Sequence, residues 1–186
     1  MNLKVTGKSA GLWITILSSK FVSKRHFDTK RTEIGELLYQ LKYEEDALKV
    51  KLIAQLVAEF LQTRLVTPYL SALIPIPPSK PRKFQPVYEI VKEIGNLVKV
   101  KVDLDYLIKI KPTSELKEIE DYDTRINILR DHFELQDDRY TSKKVMIFDD
   151  LFRSGATLNV ISALLQEKGK VDRVYVLTLT KTRIKK

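Results

Sequence analysis

At 186 residues, with 44% hydrophobic and 31% charged, the chain has the size and balance of one globular domain, which excludes a disordered or fibrous protein. It contains no cysteine, and His26 and His132 are its two imidazoles, so disulfides, Cys-ligated zinc and iron-sulfur clusters are excluded and any metal is expected to be a hard cation on oxygen. The net charge of +9 attracts anions without choosing among phosphates, nucleic acids and anionic surfaces.

Residues 11–17 form an apolar run behind Lys4 and Lys8. It sits at the lower limit for a secretory signal, lacks a small-residue cleavage site and is too short to span a bilayer. A cytoplasmic protein with no membrane partner is expected. Much of the positive charge lies in residues 20–31 and 181–186. Such clusters are commonly solvated faces, although Phe21 and Phe27 near Lys24 and Arg25 give slight support to weak nucleic-acid binding.

No repeat or Gly/Ser linker interrupts the chain, so residues 1–186 read as a single domain, with 1–69 as an N-terminal helical elaboration and 70–186 as the core. Ile34, Leu37, Leu38 and Leu41 recur at helical spacing, and after a polar break at residues 44–46 the pattern resumes with Leu48, Leu52, Ile53, Leu56, Val57 and Phe60. Two amphipathic helices are predicted, the second ended by Pro68. Short apolar runs then alternate with helical segments. Strands are predicted at 72–76, between 98 and 110, at 145–148 and at 174–179, with helices at 87–97, near 125–129 and at 158–168. Crossovers of this length produce an α/β fold with a mostly parallel, doubly wound sheet, whose ligands sit beyond the carboxyl ends of the strands.

The segment VMIFDDLFRSGAT at 145–157 carries the chemistry. Four apolar residues deliver Asp149 and Asp150 to the end of a strand, and Ser154, Gly155, Ala156 and Thr157 lead into a helix. Backbone N–H groups there converge on an anion at the positive end of the helix dipole. Acids beside an anion site make sense for a ligand with both hydroxyls and a phosphate, such as a ribose 5-phosphate. A bland alternative is a strand-to-helix turn capped by Asp150 or Ser154, which accounts for one acid or one hydroxyl but not for the whole run. A phospho-receiver domain also ends its first strand in paired aspartates, but the 36 residues after Asp150 are too few for its remainder.

FDDLFRSGATL resembles the phosphoribosyl pyrophosphate signature of type I phosphoribosyltransferases. LLYQLKYEED at 37–46, LIPIPPSKPRKFQP at 73–86, and the pattern of Thr113, Arg125, Asn127 and Phe133 are similar to the competence protein ComF family, whose members are labelled predicted amidophosphoribosyltransferases. The chain lacks the four-cysteine zinc module of many members. Its Arg82, Lys83, Phe84, Gln85 and Pro86 also replace a usual Arg-Gly-Phe-Asn-Gln loop. The resemblance implies a Mg²⁺-dependent phosphoribosyltransferase with a nitrogen acceptor. Asp149 and Asp150 would hold the ribose hydroxyls and, through water and ligand, Mg²⁺; residues Phe152, Arg153, Ser154, Gly155, Ala156 and Thr157 would bind the 5-phosphate; and Ser79, Lys80 and Arg82 would bind pyrophosphate. Residues 111–122 would be a hood over the reaction centre. His132 is expected to be structural or superficial, not a base. A non-catalytic sensor or a competence-type nucleic-acid accessory is the alternative function, and the expected partners are phosphoribosyl pyrophosphate, weakly bound nucleic acid and a second copy of the chain.

Overall fold

The computed structural model describes residues 4–9, 12–16, 32–43, 46–78, 83–111 and 121–181, with backbone alone at 4–9, 12–16, 122, 123 and 125. In chain order the elements are β1 (Lys4–Ser9), β2 (Leu12–Ile16), α1 (Glu33–Tyr43), α2 (Leu48–Gln62), β3 (Ala72–Pro75), α3 (Pro86–Val98), β4 (Leu107–Lys109), α4 (Tyr122–Leu129), β5 (Phe133–Leu135), β6 (Lys144–Phe152), α5 (Ala156–Glu167) and β7 (Arg173–Lys181). Five strands form one sheet in the order β1-β2-β7-β6-β3, parallel except for β1, which runs antiparallel to β2 at the edge. This is the α/β, mostly parallel architecture that the alternation of strands and helices predicts.

The centre of the sheet is apolar on both faces, as a strand covered twice must be. Val145 and Ile147 of β6 pack with Val174, Val176, Ile161 and Leu165, while Met146 and Phe148 face the opposite way into Ile53, Val57, Ile90, Ile94 and Leu177. Thus α1, α2 and α3 cover one face, and α5, β4 and β5 cover the other. Burial of each such aliphatic side chain is worth about 1.5–3 kcal/mol. At Gly95 on α3 an added Cβ would lie 2.3 Å from Val102 Cγ2, so only glycine lets this helix meet the chain at 100–102 without displacement.

Four elements differ from the sequence-based expectations. Strands β1 and β2 pair antiparallel, and β2 pairs in parallel with β7, so residues 12–16 of the apolar run extend the sheet at its β7 side. Helix α2 stops at Gln62, before Pro68, where the Thr63 hydroxyl donates to the Phe60 carbonyl at 2.7 Å. The run between 98 and 110 does not add one strand to the parallel sheet. Val102 makes a single bridge to Leu73, Asp103 turns the chain by accepting the N–H groups of Asp105 and Tyr106, and β4 then pairs antiparallel with β5 in a separate ribbon. Finally, β6 continues through both aspartates to Phe152, held by β7 alone beyond Phe148.

Candidate functional site

The topology marks one place for a ligand. The helix after β3 lies on one face of the sheet and the helix after β6 on the other, so these adjacent strands form a topological switch point, the place where such sheets bind ligands beyond the carboxyl ends of the strands. Pairing of β3 with β6 ends at Pro75 and Phe148, and the next residues of β6 are Asp149 and Asp150. Successive side chains of a strand point to opposite faces, so Asp149 shares the face of Ile147 and Asp150 that of Phe148.

Each acid meets a lysine from a different layer. The Lys42 ammonium, in the last turn of α1, forms an ion pair with the Asp150 carboxylate, with 27% and 13% of the two side chains exposed. Lys109, at the end of β4, donates to the Pro78 carbonyl at 3.3 Å and lies 5.4 Å from the centre of the Phe133 ring. Burial pushes the Lys109 ammonium below the usual lysine range, and the charge of Asp149 opposes that shift. Asp149 accepts the Asp150 N–H at 2.8 Å. Its carboxyl is pushed up to about 7 by burial and by the neighbouring charge of Asp150, against the pull of that N–H and of Lys42 and Lys109. Thr180 Oγ1 donates to the Asp150 carbonyl at 2.7 Å and ties β7 to this end of β6.

The following turn is built for close approach. Gly155 has φ +81°, and a Cβ there would come within 3.0 Å of the Phe152 ring. Its carbonyl accepts the Asn159 N–H at 2.8 Å, so α5 begins immediately after it. Gly155 offers no side-chain cap, and the Ser154 hydroxyl reaches the Ala156 N–H only at 3.4 Å. The leading N–H groups of a helix have no carbonyl within the helix to pair with, so they favour an anion here. Asp150, held by Lys42, is not the cap. Arg153 and Ser154 are exposed, Thr157 is half-buried, and the Lys181 ammonium stands 5.5 Å from the centre of the Phe152 ring.

The structure therefore brings together Asp149, Asp150, Phe152, Arg153, Ser154, Gly155, Ala156 and Thr157 around one strand end. Ser79, Lys80 and Arg82, the 112–120 part of the hood, and the Arg125 side chain lie outside the described residues. His132 is buried, with Nδ1 2.7 Å from the Ile128 carbonyl, in a structural role. Sequence reasoning missed Lys42 and Lys109 as members of the site. Lys42 stands within the LLYQLKYEED stretch, and Lys109 interrupts an apolar strand pattern between Ile108 and Ile110. Two surface hollows, of about 400 and 530 Å³, are lined by other residues, among them Thr67 and Leu97 in one and Leu135 and Leu164 in the other. No described helix is long and apolar enough to cross a membrane.

No protein-family model matches this chain, and no curated protein matches it in sequence. Solved structures do match. Adenine phosphoribosyltransferase from Leishmania tarentolae is similar over 96% of this chain and 94% of its own, at 10% identity and a TM-score of 0.52. The fold is that of the phosphoribosyltransferases. Also similar are adenine phosphoribosyltransferase from Leishmania donovani, with 11% identity over 96% of this chain and 86% of its own and a TM-score of 0.49, and a hypoxanthine phosphoribosyltransferase from Staphylococcus aureus, with 16% identity over 73% and 68% and a TM-score of 0.45.

Proposed function

We propose that this protein binds 5-phosphoribosyl 1-pyrophosphate with Mg²⁺ at the carboxyl end of β6 and transfers the phosphoribosyl group to a nitrogen nucleophile, as a ComF-like phosphoribosyltransferase of the cytoplasm. The observation that carries this reading is the placement of two adjacent carboxylates and an uncapped helix start, five residues apart at Asp150 and Gly155, at the switch point of a phosphoribosyltransferase-fold sheet. Hydroxyls and a phosphate on one ligand match that pair of subsites.

The donor set suits Mg²⁺. Among the described residues no group of three or more His, Cys, Asp or Glu side chains gathers as a dedicated cage, while two carboxylates plus ligand oxygens are what a cation that keeps its waters requires. Asp149 and Asp150 would hold it, and when bound it supplies charge neutralisation for the departing pyrophosphate. The chain's own residues do the rest. Asp149 and Asp150 accept the ribose hydroxyls, the turn from Phe152 to Thr157 holds the 5-phosphate, and together they fix the anomeric carbon for in-line attack. The bond from that carbon to the pyrophosphate oxygen breaks with its electron pair leaving on the pyrophosphate. The lone pair of the acceptor nitrogen makes the new bond, and its surplus proton leaves to solvent.

Arg153 stands at the turn with its side chain exposed, and a guanidinium does not accept a proton at any relevant pH. The position therefore offers no base for a purine nitrogen, which favours ammonia or an amine as the acceptor. The test is pyrophosphate release from phosphoribosyl pyrophosphate and Mg²⁺ with ammonia, amines and nucleobases as acceptors, alongside calorimetry of binding. Acceptor-dependent release supports the transferase. Tight binding without release under any acceptor would replace it with a sensor of the same ligand.

A further inference from the structure

We propose that Lys42 is the site's own counter-ion for the pyrophosphate of the ligand: its ammonium rests on Asp150 in the free protein and passes to a pyrophosphate oxygen when a ribose hydroxyl takes its place on that carboxylate. The inference rests on the phosphoribosyl pyrophosphate reading above and adds to it a binding residue from the N-terminal helical layer.

The first support is where Lys42 comes from. Its helix is seated by Ile34, Leu38 and Leu41, all buried against the α2 and α3 face, so α1 does not depend on the ion pair for its place. The Cα of Lys42 is therefore fixed, while its four-carbon stem and three rotatable N–H donors leave the charge free to swing over a few ångströms. Stability is also a poor explanation for the pair. Withdrawing both charges from water, to 27% and 13% exposure, offsets most of their attraction.

The second support is the chemistry of the ligand. Pyrophosphate is carried on the anomeric carbon, the immediate neighbour of the carbon that bears the 2-hydroxyl. A cation already touching the carboxylate that receives the ribose hydroxyls consequently lies within a few ångströms of the pyrophosphate. Both the hydroxyl and the ammonium want the lone pairs of Asp150. A neutral hydroxyl gains a charge-assisted hydrogen bond on that carboxylate, whereas an ammonium gains more from a multiply charged pyrophosphate than from one carboxylate. The exchange therefore satisfies both groups.

Lys109 sets the contrast. It is held by the Pro78 carbonyl and stands over the Phe133 ring on the opposite face of the sheet, so its surroundings fix it in place, whereas the partner of Lys42 is the group the ligand must claim.

The experiment is calorimetry on the full chain with Mg²⁺, comparing phosphoribosyl pyrophosphate with ribose 5-phosphate, which lacks the pyrophosphate. Lys42→Met keeps the length of the stem and removes the charge, and Lys42→Arg restores a charge. The expected result is a loss of about tenfold or more for phosphoribosyl pyrophosphate in Lys42→Met, ribose 5-phosphate affinity no weaker than wild type because its hydroxyl no longer displaces an ammonium that has no pyrophosphate to receive it, and recovery of most of the loss in Lys42→Arg. Retained ribose 5-phosphate binding also shows that the variant is folded. Equal losses for both ligands would reduce Lys42 to a support for Asp150, and no loss for either would end the proposal while leaving the ligand reading intact. Wild-type protein that binds neither ligand would overturn that reading and this one together.

Discussion

Asp103 and Asp149 are both shielded acids at turns or strand ends, and their surroundings treat them in opposite ways. Asp103 is buried and fully partnered: it accepts from the Tyr140 hydroxyl at 2.7 Å, from Arg139 Nη1 at 3.1 Å and from the Tyr106 N–H at 3.0 Å, with Lys101 Nζ at 3.4 Å. Burial alone would raise its carboxyl, but those hydrogen bonds and the Arg139 charge outweigh it and hold the group below the usual carboxylate range. Asp149 has the Asp150 N–H, a second acid beside it and two lysines nearby, and its carboxyl rises to about 7. The lesson is that the fold surrounds the acid that shapes a turn with donors, and sets beside the acid of the candidate site a second acid that drives its carboxyl up.

The largest expected effect lies on the architectural side. Asp103→Ala leaves the buried Tyr140 hydroxyl without its acceptor and releases the turn before β4, so equilibrium unfolding in urea should show a loss of about 3 kcal/mol. A loss under about 1 kcal/mol would mean that the two acids are not distinguished by their shells. On the other side, Asp149→Asn or Asp150→Asn should keep the fold and weaken Mg²⁺-dependent binding of phosphoribosyl pyrophosphate by about tenfold or more, because hydrogen bonds to a charged acceptor contribute about 1.5 to 3 kcal/mol. Wild-type affinity in the double variant, measured by calorimetry, would remove the ribose assignment.

The pH dependence sharpens the same contrast. The folded-state value of Asp149 is raised, so its contribution is fully present below the ordinary 3.8 and is lost as pH rises through about 7. Asp103 is lowered, so its contribution is present above 3.8 and is lost as pH falls through its folded-state value. Stability curves should accordingly show Asp149→Asn gaining on wild type between about pH 4 and 7, the window set by those two values. Parallel curves across that window would contradict the raised carboxyl.

Smaller effects are expected in the turn. Gly155→Ala places a Cβ at φ +81° and 3.0 Å from the Phe152 ring, which should cost about 1 kcal/mol in thermal unfolding and weaken ribose 5-phosphate binding. Unchanged melting and binding would show that the turn does not need its left-handed residue. Least affected should be Arg153→Ala, whose exposed side chain predicts unfolding within about 0.5 kcal/mol of wild type. Neither it nor wild type should transfer a phosphoribosyl group to hypoxanthine or guanine, and nucleotide formation from either purine by wild type would make purine salvage the better reading.

Contiguous signals were legible in the amino-acid sequence. The run Val145, Met146, Ile147, Phe148 announces a strand buried on both faces, the helical spacing of Ile34, Leu38 and Leu41 announces α1, and Asp149, Asp150 and the small turn through Gly155 mark out the strand-to-helix turn of the candidate site. Each depends on period, hydrophobicity or turn chemistry within a few residues. The tertiary structure alone decided that the strand extends through the acids to Phe152, that Asp103 splits the 98–110 run, and that β2 completes the sheet beside β7. It also decided that Lys42 and Lys109, from opposite layers, converge on one strand end. Nothing in a local pattern records which distant lysine will face an acid, because that distance is set by how two helical and strand layers pack against the sheet, and the packing is a property of the whole core.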